Sequence, residues 1–327
     1  MQRHRVAGLS GALLLSCSGL VCGEAAAQQW PARPVRAIVP FPAGQAVDLI
    51  TRMLAERMSV GLGQQIIVEN RPGAGSVLGS EFVARATPDG YTFLAGGSSA
   101  LAINPFLFSK LSYDTLRDFT PISTLVSLTY VFCVHPTFAA KDMRDFTRIA
   151  RQRPGEITFG SSGNGSTNQL ILEMFARAVS VNLTHIPYKG ATQSLTDLIA
   201  GQITVVAETT PTVLPYLRSG RLRPLGVTSI KRNPYLPEVP SIDEQGVKGF
   251  EGYAWSMFVA PVATPDPIVD RLNAETVKAM RTPEVAKRLQ EMAVAPVGDT
   301  REQAMVFLRA ELERWGNAVK LSGAKID

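Results

Sequence analysis

The stretch that most constrains the fold is residues 157–175, which read as a strand, a glycine-rich loop and a helix. Ile157, Thr158 and Phe159 are β-branched or aromatic and suit a short buried strand. Gly160, Gly163 and Gly165 permit a sharp turn and close approach of a ligand to the backbone. Ser166, Thr167 or Asn168 can cap the helix, whose apolar face runs Leu170, Ile171, Met174, Phe175, Val179. Such a helix start leaves N–H groups unpaired at the positive end of a macrodipole and attracts an anion. The stretch is therefore read as half of a carboxylate-binding cleft. The same residues also suit a tight strand–helix turn that holds nothing.

Better-known anion motifs fail here in an informative way. Gly160 to Thr167 follow the phosphate-loop pattern G-x-x-x-x-G-K-[ST], except that Ser166 replaces the lysine, which argues against nucleotide hydrolysis. The dinucleotide pattern needs a glycine where Asn168 stands. No G-x-S-x-G nucleophile elbow occurs in the chain. What remains is a nest of hydroxyls and backbone donors without a catalytic cation.

Residues 1–27 read as a leader: Arg3, His4 and Arg5, then an apolar core, then Ala25-Ala26-Ala27 before Gln28. Lipid attachment at Cys17 is the less favoured alternative, because Leu15 fits that processing signal poorly. The mature chain is expected to be exported and soluble, with no later span apolar enough for a membrane. Its net charge falls from +5 to +4 on loss of the leader, with basic residues scattered, so nucleic acid is not an expected partner. Cys133 is then the sole cysteine, which leaves no intrachain disulfide. With only His135 and His185 beside it, neither metal nor other cofactor is expected. A monomer is expected.

Along the chain, residues 35–41 read as a strand, followed by Pro42-Ala43-Gly44-Gln45 and a helix carrying Val47, Ile50, Leu54 and Met58. Asp48 lies in that helix's first turn. Strands follow at 65–69 and 91–95, separated by a helix over 76–86, and Gly96-Gly97-Ser98-Ser99 forms a third small polar loop. Strand–helix alternation predicts an α/β fold with mostly parallel sheets, whose ligands sit beyond the carboxyl ends of the strands. A second such series covers a helix at 142–151, strands at 182–186, 203–207 and 222–228, and a helix at 191–200. Two charge-free apolar runs, 125–135 and 253–260, are expected to cross between lobes as a hinge. Helices are predicted at 266–280, 283–292 and 301–321. The expected architecture is a two-lobed clamshell: residues 28–128 with 255–327 in one lobe, 129–254 in the other.

Taken together, several segments carry a family resemblance. They include Trp30-Pro31 with Pro34-Val35-Arg36, Pro42-Ala43-Gly44 with Asp48, and residues 68–75 (VENRPGAG). Residues 87–92 (TPDGYT), 118–122 (DFTPI), 187–190 (PYKG), 225–229 (LGVTS) and 239–242 (VPSI) match as well. So do Ala260-Pro261 with Thr264-Pro265, and Glu313-Arg314-Trp315. The chain resembles the Bug-type solute receptors, the periplasmic substrate-binding components of tripartite tricarboxylate transporters.

The resemblance implies a type II periplasmic-binding-protein-like clamshell that is not an enzyme, closes on a small carboxylate and delivers it to membrane permease subunits. It places Phe41, Pro42, Ala43, Gly44 and Gln45 with Asp48 in one grip on the ligand. Ser161, Ser162, Gly163, Gly165, Ser166, Thr167 and Asn168 form the opposing grip, and Ser98 is a further candidate. Departures from the family pattern are Gln45 and Val47 in the first turn, Gln169 where histidine is frequent, and Glu208 where aspartate is usual. Glu208 could accept from a ligand amine or hydroxyl, or cap nearby backbone. Two other functions stay open at this point: a sensing subunit for a membrane signalling partner, and an exported hydrolase using a serine of residues 161–166. His185 and Cys133 are read as structural, Lys189 as solvated or at the cleft rim, and Tyr253 and Trp255 as hinge packing or a stack for an aromatic ligand. Gly44→Val and Gly163→Val are each expected to block ligand approach.

Overall fold

The computed structural model describes residues 30–322, so the leader and the Cys17 alternative lie outside the described residues. β1 (Val35–Val39) is buried, and its turn feeds α1 (Ala46–Leu62), where Ile50, Leu54 and Met58 face the core as their spacing predicts. Gly63 ends that helix in the left-handed conformation. Next come β2 (Ile66–Asn70), a 3₁₀ turn (Ala74–Ser76), α2 (Val77–Ala84) and β3 (Thr92–Gly97). A π-helical turn (Ser99–Ile103) runs into α3 (Asn104–Leu107), and α4 (Thr115–Asp118) starts at Asp114, whose carboxylate accepts from Leu116 and Arg117 N–H.

β4 (Phe119–Val134) is longer than the run of apolar residues predicts, because it begins six residues before Leu125. It is followed by α5 (Met143–Gln152), β5 (Thr158–Ser161), α6 (Thr167–Ala178) and β6 (Thr184–Pro187). Then come α7 (Ala191–Ile199), β7 (Val205–Thr209), α8 (Thr210–Arg218) and β8 (Arg223–Val227). β9 (Tyr253–Pro261), α9 (Asp266–Met280), α10 (Pro283–Glu291), β10 (Ala295–Pro296) and α11 (Arg301–Ser322) complete the fold.

The strands order as β2-β1-β3-β9-β4-β7-β5-β6, with β8 and β10 pairing β4 off that path. β1 runs parallel to β2 and β3, and β5 runs parallel to β6 and β7. The parallel expectation holds for these outer strands; β4 and β9 are antiparallel to their neighbours. β4 pairs β9 from Phe119 to Thr129, then pairs β7 and β8 from Tyr130 or Val131 to Val134. Of the two expected crossing strands, β4 alone has partners in both groups, while β9 pairs only β3 and the first part of β4.

α11 seals the far side of β9. Its buried Glu311 accepts from Trp255 Nε1 at 2.6 Å, Trp315 Nε1 at 3.0 Å and Tyr253 Oη at 2.8 Å. Arg314 Nη1, 3.2 Å from Glu311 Oε1, adds a fourth donor and a positive charge, so a costly buried carboxylate is made tolerable by its partners. Cys133 is a buried free thiol whose ionisation burial pushes well upward, as suits an inert core position.

Candidate functional site

A cavity of about 700 Å³ lies between the loops at the carboxyl ends of β1, β3, β5, β6 and β7. Four helices present their first turns to it: α1 through Ala46 and Val47, α6 through Thr167 and Asn168, α7 through Gly190 and Ala191, and α8 through Thr209 and Thr212. Each first turn carries N–H groups with no intrahelical acceptor, and each is the positive end of its helix dipole. Charged side chains in the wall are confined to Lys189, which is exposed, and Glu208, which is buried. The cavity therefore favours an anion mainly through dipoles rather than through a fixed cation. Among the described residues no cluster suited to a metal ion occurs.

In the first turn, Phe41, Pro42 and Gln45 line the cavity, whereas Ala43, Gly44 and Asp48 do not. Asp48 instead builds the turn from behind. Its Oδ2 accepts from Gly44 N–H at 2.9 Å, and its Oδ1 accepts from Arg52 Nε at 3.0 Å and Asn70 Nδ2 at 2.9 Å. Burial opposes the charge on Asp48, but the bonds from Arg52, Gly44 and Asn70 outweigh it and hold the carboxyl below its usual range. Gly44 contributes its left-handed backbone, φ +83°, and a side chain there would meet open space. Asp48, Ala43 and Gly44 thus shape the turn from behind the residues that line the cavity.

In the opposing loop, Ser162, Gly163, Ser166, Thr167 and Asn168 line the cavity, whereas Ser161 and Gly165 lie behind it. Several N–H groups there are already taken by the loop's own side chains. Ser162 N–H donates to Asn168 Oδ1 (3.3 Å), Gly163 N–H to Ser161 Oγ (3.2 Å) and Gly165 N–H to Gln169 Oε1 (2.7 Å). These bonds rigidify the loop and leave the start of α6 as its free donor face. Ser161 Oγ also lies 2.6 Å from His185 Nε2, and His185 stacks on Phe159. Burial holds the His185 imidazole below its ordinary range, favouring the neutral ring. This serine–histidine contact is fully buried at Ser161 and neither residue lines the cavity, so it braces the loop.

Ser98 and Glu208 do reach the wall. Ser98 Oγ lies 3.1 Å from Thr167 Oγ1, a contact joining the β3 loop to α6 across the cavity. A Cβ built on Gly190 would lie 3.4 Å from Gln45 Nε2, so the β1 and β6 loops also meet. Glu208 Oε1 accepts from Asn168 Nδ2 at 2.5 Å and from Ser162 Oγ at 3.3 Å. Burial pushes its carboxyl up to about 7, against the lowering effect of bonds from Ser162, Asn168 and the Thr209 backbone.

Several wall residues were not predicted: Ala74, Phe108, Tyr130, Tyr188, Thr209 and Thr212. Tyr188 is fixed by its hydroxyl donating to Asp197 at 2.8 Å. Ala74 and Gly75 belong to the glycine-rich turn after β2, which already stood out as a segment ending a strand. Thr209 and Thr212 depend on α8, which the sequence reading left out. Lys189 and Trp255 both border the cavity, as the rim and ligand-stacking alternatives for them allow.

Residues 50–323 match the model of the tripartite tricarboxylate transporter family receptor, and the chain belongs to that family. Solved structures with the same fold include a Rhodopseudomonas palustris protein with adipate, at 34% identity and TM-score 0.87, covering 91% of this chain and all of that one. The periplasmic binding protein BugD matches at 31% identity and TM-score 0.85, over 90% of this chain and 99% of its own. MatC from Rhodopseudomonas palustris, with bound malate, matches at 30% identity and TM-score 0.82, over 89% of this chain and all of its own. The fold is that of the periplasmic binding proteins, and the family and these neighbours are substrate-binding receptors, not enzymes.

Proposed function

We propose that this protein is an exported, periplasmic receptor that captures a small carboxylate in the cavity and delivers it to the membrane permease of a tripartite transporter. The observation that carries the reading is the convergence of four helix amino ends on one hollow whose wall holds a single, exposed cation. Dipoles and hydroxyls hold an anion while remaining easy to leave, which suits a carrier that must unload. The neighbours solved with adipate and malate bind ligands of this chemical class. Capture works by closure of two lobes, residues 28–128 with 255–327 against 129–254. The change of β4 partners at Thr129 and Tyr130, opposite Tyr253, supports a hinge at 125–135 and 253–260.

A thermal-shift screen with mono-, di- and tricarboxylates, adipate and malate among them, tests the binding step. A ligand present at about 100 times its Kd stabilises the folded state by about 2.7 kcal/mol. At least one carboxylate is expected to raise the melting temperature in a saturable way. No response from any of them overturns the reading.

A further inference from the structure

We infer that Glu208 selects the ligand by accepting a hydrogen bond from an ammonium or hydroxyl group on the bound acid, so that an amino- or hydroxy-substituted carboxylate is preferred over its unsubstituted counterpart. The inference rests on the proposed carboxylate receptor and adds which carboxylates it prefers.

Glu208 is the penultimate residue of β7 and only 4% exposed, yet it borders the cavity. Its bonded side-chain partners, Asn168 and Ser162, are neutral and are themselves part of the wall. Among the described residues no ion pair joins Glu208 to a cation, as the only cationic side chain in the wall is the exposed Lys189. The titratable groups that face it from β4 are Tyr130 and Cys133, both kept neutral by burial. α8 adjoins it with the hydroxyls of Thr209 and Thr212. A buried carboxylate with neutral partners alone is costly, and a purely structural acceptor at this position would serve as well as an amide.

A ligand that brings an N–H or O–H donor supplies the partner that the wall lacks. The two features then divide the ligand between them: helix amino ends hold its carboxylate, and Glu208 holds its donor. A site built to hydrogen-bond such a donor discriminates strongly against the analogue without it, since the protein's polar group is then left unpaired.

Calorimetry with matched acids tests this: succinate, malate and aspartate, and adipate against 2-aminoadipate, on the wild type and on Glu208→Gln. In the wild type at least one substituted acid is expected to bind about tenfold or more tighter than its unsubstituted partner. Malate and aspartate separate the hydroxyl from the ammonium. In Glu208→Gln the advantage of the amino acid over its unsubstituted partner is expected to collapse. Equal or tighter binding of the unsubstituted acids overturns the role of Glu208 and leaves the receptor reading standing. No binding by any carboxylate overturns both. Should the variant lack a cooperative melt, the wild-type series decides alone.

Discussion

Replacing Glu208 by glutamine keeps the side chain's shape and its acceptor oxygen for Asn168 while removing the ionisable proton. The folded protein raises this carboxyl from 4.5 to about 7. Between those values the folded state keeps a proton that the unfolded chain has lost. The resulting stabilisation is therefore complete below about 4.5 and is lost as pH rises through 7. At about 1.4 kcal/mol per unit, the loss amounts to roughly 3 kcal/mol by pH 8. With unfolding entropy of about 2.1 cal/mol/K per residue, that corresponds to a melting shift of roughly 5 °C for a chain of this size. His185, whose lowered value acts in the opposite sense, and Glu173, which burial raises, are common to both proteins and cancel in the difference. Unliganded wild type and Glu208→Gln, melted from pH 5 to pH 8, should diverge progressively in favour of the variant, with the difference curve bending near pH 7. Parallel profiles would refute the account of a buried carboxylate carrying an uncompensated charge.

Asp48→Ala strips acceptors from Gly44, Arg52 and Asn70 together, so a loss of about 2–3 kcal/mol in urea unfolding is expected, with weaker carboxylate binding as the turn loosens. An unchanged unfolding midpoint contradicts the scaffolding role. Gly44→Val is expected to cost about 1–2 kcal/mol through backbone strain at φ +83° rather than by filling the cavity. Gly163→Val meets Tyr188 O at 3.1 Å from the added Cβ on the cavity wall and should lose both stability and affinity; calorimetry separates the two variants. Under the proposed hinge, a saturating carboxylate should reduce the radius of gyration in solution scattering by holding the Ser98–Thr167 and β1–β6 loop contacts together. An unchanged scattering curve at saturation removes the hinge.

Most elements were legible because apolar spacing is a local signal: α9 runs over the residues that its periodicity predicts, and α1 buries the predicted face. α8 was not, because Pro211 and Pro215 interrupt the local helix signal. Pro211 occupies the first turn, where its missing N–H costs nothing, and Pro215 is carried inside the helix. Losing α8 hid Thr209 and Thr212 from the site. The early part of β4 was missed for a related reason: Thr120, Pro121, Ser123 and Thr124 dilute the apolar run, and the pairing with β9 that holds them is remote in sequence.

The site divides along the same line. Glycine-bearing loops at strand ends are visible in the sequence, but which member of a loop faces the ligand is decided by bonds between distant residues. The family resemblance puts Asp48 in the grip on the ligand; Asn70, twenty-two positions away, makes it a brace. Ser161 is withdrawn in the same way by His185. Their withdrawal does not weaken the anion reading, because α7 and α8 add positive ends beyond those of the two loops first assigned to the grip. It also explains how a cavity built for anions tolerates Glu208. With helix ends rather than a lysine supplying most of the attraction, no buried cation neutralises that carboxylate in the resting protein, and its missing partner is left for the ligand to bring.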